Sequence, residues 1–218
     1  MLFAEPTRYR AGLTLYGDYN DLSSLLSTVD QLADQIPLAG HFEEFMLGLA
    51  YELRKAYEGQ REVKEFGFDA LDRVSYCGCK LLWPIFLVQV GMLRWAAASN
   101  PTTKSLQANL FRLEAATEDA LIRSDSKIGR ECVDWLSDFR GFPTDYLLQF
   151  VEDVCLNYVS EPRPGKERFA TLPRTLRSTY SFSNEYRAFK DRLEQIAKFQ
   201  KCRPDDLASR AEWPDFKW

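Results

Sequence analysis

The chain has 218 residues, of which 45 % are hydrophobic and 28 % charged, with a formal net charge of −4. This composition excludes collagen-like, low-complexity and wholly disordered classes, and a chain of this size buries roughly 70 % of its unfolded surface, so it needs no metal or disulfide to fold. A single histidine, His41, excludes mechanisms that require two imidazoles, His-rich zinc sites among them.

The chain opens with two short β-prone runs, residues 2–4 and 12–16, around Glu5-Pro6-Thr7, which predict a hairpin. The residues after Met1 are too soon charged for a signal peptide, so no export is expected. Asp18 or Asn20 caps a helix on Leu22, Leu25, Leu26, Val29, Leu32 and Ile36, stopped at 37–40. A second helix follows on Phe42, Phe45, Met46, Leu49, Leu53 and Tyr57. Residues 61–68 do not distinguish helix from strand, and 69–80 read as a short strand or loop. Trp83-Pro84 begins a helix, because proline fits a first turn whose N–H groups have no partner. Residues 82–98 are apolar nearly all round, which places this helix at the centre. Pro84, Gln89, Gly91 and Arg94 interrupt the run, and it falls short of the ~20 apolar residues needed to span a bilayer.

Further helices are predicted from Asn100-Pro101 to about Ile122 and over 127–139, with a turn at 141–144 and another helix over 146–159. Residues 162–181 read as a long basic loop with at most one helical turn, since Pro162, Pro164, Gly165 and Pro173 interrupt it. A last helix begins at Ser183-Asn184-Glu185, with Tyr186, Phe189, Leu193, Ile196 and Phe199 as its inward stripe. The expected fold is mainly α, about seven helices with a small N-terminal antiparallel β element, in a single globular domain. Residues 1–160 form its helical core, and 161–218 supply a basic loop, a helix and an aromatic tail packed on the same domain.

Charge is uneven. Residues 161–203 hold eleven basic and five acidic residues, a net +6, leaving the rest of the chain at −10. Arg163, Lys166, Arg168, Arg174, Arg177 and Arg187, interleaved with Phe169, Tyr180, Phe182 and Tyr186, form a candidate nucleic-acid contact, because arginines neutralise phosphates while rings stack on bases. A pI near 5.2 opposes that reading, and the same arginines also suit pairing with the acidic body or a neighbouring subunit. Trp213, Phe216 and Trp218 either fold back on the domain or dock on a partner.

Other chemistries are weaker. Cys77-Gly78-Cys79 has the C-x-C form of a metal ligand pair, but no C-x-x-C accompanies it, and its glycine suits close packing. Cys77, Cys79, Cys132, Cys155 and Cys202 read as reduced thiols of a cytoplasmic protein. Glu62-Val63-Lys64 matches part of a divalent-metal nuclease core, but the required upstream Asp is missing. His41 before Glu43 and Glu44 suits a general base, a cap or a solvated side chain. Gln89 requires a core hydrogen-bond partner, and Arg94 suits an ion pair with an acid such as Glu114. No Gly-rich phosphate loop and no nucleophile elbow is present. These readings converge on a non-enzymatic cytoplasmic interaction protein, a homo-oligomer or a subunit of a larger assembly. It has no cofactor or metal, a protein partner and no membrane. Nucleic-acid binding by residues 163–192 is the alternative, and a metal-dependent nuclease the second.

Overall fold

The computed structural model describes residues 1–35, 41–66, 73–139, 145–207 and 213–218. Four strands, β1 (Phe3–Pro6), β2 (Gly12–Gly17), β3 (Glu62–Phe66) and β4 (Val74–Leu82), pair antiparallel in the order β1-β2-β4-β3. The helices are α1 (Tyr19–Asp34), α2 (His41–Tyr57), α3 (Trp83–Ser99), α4 (Lys104–Ser124), α5 (Ser126–Ser137), α6 (Leu147–Val159), α7 (Lys166–Ser178) and α8 (Asn184–Gln200). The fold is therefore mainly α with a small antiparallel sheet near the N-terminus, as the sequence predicts. The stops expected at 37–40 and 141–144 fall outside the described residues.

Strand alternation sorts the sheet into two faces. Ala4, Leu13, Leu15, Cys79 and Leu81 point inward and are buried in the main core. Phe3, Glu5, Tyr16, Tyr76, Gly78 and Lys80 belong to the opposite, outer face. β4, ambiguous in sequence, is a nine-residue strand paired on both sides. Gly78 interrupts its β signal, and that residue is required because a Cβ there would lie 2.5 Å from the Tyr16 ring. Gly12 is equally constrained, since a Cβ would meet the Leu81 carbonyl oxygen at 1.9 Å.

α3 runs through the centre, with Pro84 in its first turn. Its buried Gln89 donates from Nε2 to the Phe45 carbonyl at 3.0 Å, which ties α3 to α2. Gly91 lets the Phe139 ring approach, and a Cβ would lie 2.7 Å from that ring. Local capping fixes the starts of α1, α4, α5 and α8. The Asp18 side chain accepts from the Asp21 N–H at 2.9 Å, and Asp21 returns the bond in a capping box. Thr103 and Asp125 cap α4 and α5, and backbone N–H groups from Ile128 and Lys127 hold the Asp125 carboxyl below its ordinary range.

One expectation is corrected. Residues 166–178 form α7, not a loop. Phe169, Leu172 and Leu176 recur at helical spacing and enter the main core. Pro173 is tolerated inside the helix, buried, at the cost of one backbone bond.

Candidate functional site

The outer face of the sheet is aromatic. Phe3 stacks on Tyr16 at 5.2 Å, and Phe66 and Tyr76 close edge-on around Phe3 at 5.8 and 5.3 Å. Gly78 leaves the flat gap over which Tyr16 lies. Burial, with Glu5 and Glu62 close by, pushes the Tyr16 phenol above its ordinary value. Lys64 reaches across the sheet to Glu5, 2.6 Å from both carboxylate oxygens, with its ammonium over the Phe66 ring. Lys80 donates to Glu62 at 2.7 Å. Beside the rings lies a cleft of about 440 Å³, lined by Met1, Phe3, Glu5, Phe66, Val74, Tyr76 and Arg123. Glu62 and Lys64, the partial nuclease motif, are thus ion-paired with Lys80 and Glu5. Among the described residues, no three His, Cys, Asp or Glu side chains are grouped as a metal site requires.

The basic residues do not act as one patch. Arg168 is corrected outright. It is 3 % exposed and donates from Nη1 to the Lys217 carbonyl at 3.1 Å, so it cannot reach a phosphate. Arg163 pairs with Glu161 and Glu167, and Arg177 approaches Glu131 on α5. Lys166, Arg174 and Arg187 are exposed. A groove of about 520 Å³ between α6, α7 and α8 carries Arg174 and Arg192, yet also Asp153, Glu161 and Glu185.

The aromatic tail lies on its own chain. The Tyr9 N–H donates to the Trp218 carbonyl at 2.7 Å, and Phe216 packs on the main core and against Trp218 at 5.1 Å. Trp213 remains 45 % exposed.

α8 holds a surface that sequence periodicity misplaces. Phe150 and Val154 of α6 join Tyr186 and Phe189 of α8 in a satellite core, anchored by Lys190 to Asp145 at 2.7 Å. Leu193 still packs on this cluster, and beyond it the stripe leaves the body. Ile196 is 41 % and Phe199 88 % exposed, so the expected inward stripe is inward over its first half only. Phe182, just before the helix, is 84 % exposed.

Three of the five thiols are enclosed in the core. Cys79, Cys132 and Cys155 are buried, and burial pushes each up to about 12. Arg94 forms the predicted pair, donating from Nε to Glu114 at 2.5 Å while its guanidinium lies over Phe111. The His41 side chain falls outside the described residues. The outer aromatic cluster was missed in sequence, although Phe3, Tyr16, Phe66 and Tyr76 all fall at outward positions of their strands. Their signal is visible only once β3 and β4 are known to be strands.

Fold and surfaces together describe a helical chain built on a small sheet whose outer face carries aromatic rings. The chain belongs to the family described as a domain of unknown function, DUF6904, whose model matches residues 2–218. No curated protein and no solved structure matches it. Among the described residues, no helix is long and apolar enough to cross a membrane.

Proposed function

We propose that this chain is a non-enzymatic interaction protein, acting in the cytoplasm as a homo-oligomer or as a subunit of a larger assembly. The observation that carries the reading is α8. An amphipathic helix whose stripe ends on Ile196 and on a Phe199 that is 88 % exposed presents the surface that a partner helix or groove covers. The aromatic sheet face supplies a second exposed apolar surface. Five free thiols, three of them buried, support a reducing compartment.

Photo-crosslinking tests the reading. A benzoylphenylalanine in place of Phe199, in cells that make the protein, is expected to give one discrete adduct. The same group in place of Asp191, on the polar side of α8, is expected to give none. Equal labelling from both positions, or none from either, overturns the reading. The nucleic-acid alternative now rests on Lys166, Arg174 and Arg187, because Arg168 is enclosed and Arg163 and Arg177 face carboxylates.

A further inference from the structure

We infer that β3 pairs antiparallel with β3 of a second copy of this chain, about a two-fold axis at Val63, joining two four-stranded sheets into one of eight. The inference rests on the interaction reading and names its partner. β3 is an edge strand, and β4 is its only hydrogen-bonded neighbour among the described residues. The other edge is covered: α4 packs along β1, and Arg123 donates from Nη2 to the Ala4 carbonyl at 2.5 Å. An open strand offers its outward N–H and C=O groups to another strand.

The side chains select the register. Residues facing each other in an antiparallel pair lie on the same face of the sheet, so a two-fold pairing must centre on a residue. Centring on Lys64 sets Lys64 against itself, Val63 against Glu65 and Glu62 against Phe66. Centring on Glu65 sets that carboxylate against itself and Lys64 against Phe66. Like charges directly opposite are destabilising, and both registers also face a charge with an apolar side chain. Centring on Val63 sets every charge of residues 61–65 against an opposite one and leaves Phe66 opposite the uncharged Gln60. Val63 meets Val63, Glu62 meets Lys64 twice, and Arg61, just before β3 and held by Glu52 of α2 in the single chain, lies opposite Glu65 twice. The sequence Arg61-Glu62-Val63-Lys64-Glu65 is complementary to itself when reversed.

The two faces fit the same register. Glu62 and Lys64 share the outer face, where Lys80 already holds Glu62 and Glu5 holds Lys64. Pairing aligns these in a row of alternating sign: Lys80, Glu62, then Lys64 and Glu5 of the second copy. On the inner face the two Val63 side chains, each 55 % exposed in the single chain, cover one another.

Sedimentation velocity of the full chain, from micromolar to submillimolar concentration, is the first test. It should show a reversible dimer of twice the 25.2 kDa chain mass. Glu65→Arg sets two cations against each other and should raise the dissociation constant about tenfold. Its only ion pair among the described residues is an exposed 3.4 Å contact with Arg73, so the fold should be unaffected. In a Cys77→Ser background, Val63→Cys should form an interchain disulfide with diamide and Glu65→Cys should not, since only position 63 faces itself. A monomer over the whole range, a dimer indifferent to Glu65→Arg, or equal crosslinking at both positions overturns the inference. A monomer that still gives the discrete adduct from position 199 removes this inference alone. Loss of both the dimer and that adduct removes the interaction reading as well.

Discussion

α3 and α8 are both seventeen residues long, yet twelve residues of α3 are buried and only three of α8. α3 is apolar on every side and must be surrounded. α8 is amphipathic, and a stripe requires one neighbour of matching length. α6 is its neighbour, and the stripe meets it through Tyr186, Phe189 and Leu193 but not through Ile196 or Phe199. Helical periodicity therefore says which side of a helix is apolar, while the path of the neighbour decides how much of that side is covered: past Val154, α6 sends Cys155, Tyr158 and Val159 into the main core.

Substitutions should separate the two helices cleanly. The largest effect is expected from Phe86→Ala in the first turn of α3, where a wholly buried ring leaves a cavity, for a loss of about 3–5 kcal/mol in chemical denaturation. A loss under about 1 kcal/mol would mean that α3 is not the centre. Deleting residues 213–218 should cost about 2 kcal/mol, because it removes the Phe216 packing and the carbonyl that caps buried Arg168. The same deletion should leave oligomeric mass unchanged, since the tail lies on its own chain, and a drop in that mass would return Trp213, Phe216 and Trp218 to the interface.

Alkaline pH offers a graded measure of the core. Cys79, Cys132 and Cys155 stay protonated in the folded chain up to about 12, while in the unfolded chain they ionise from their ordinary value of 9.0. Unfolding in that window releases protons. Stability is therefore full below pH 9 and falls as pH rises toward 12, by about 1.4 kcal/mol per thiol per pH unit. Replacing Cys155 with alanine should flatten the slope by one thiol, and an unchanged slope would show that Cys155 ionises in place. The smallest effect belongs to Phe199→Ser, expected to shift stability by no more than about 0.5 kcal/mol in chemical denaturation, because that ring is 88 % exposed. A lysine, arginine and arginine triple replacement by alanine at Lys166, Arg174 and Arg187 should leave association intact and remove any weak, salt-sensitive binding of single-stranded oligonucleotide.

Legibility followed the strength of local patterns. The centrality of α3 and the starts of α1 and α3 were readable because a proline, a capping carboxylate and an unbroken apolar run each act over a few residues. The Arg94–Glu114 pair and the core bond of Gln89 could be anticipated because a polar group in an apolar helix has few ways to be satisfied. α7 was hidden because Pro164, Gly165 and Pro173 all signal a break, although Phe169, Leu172 and Leu176 carry helical spacing. Tertiary burial of those three outweighs the proline.

What the sequence by itself determined is the class of the fold, the central helix, the small hairpin and the charge-complementary run Arg61 to Glu65, all properties of neighbouring residues. The tertiary structure alone decided that this run lies on an open edge, that four rings from four strands meet on one face, that Arg168 is enclosed and that Phe199 is not. Each depends on which distant segment packs alongside, and burial is a relation between segments that no local pattern contains.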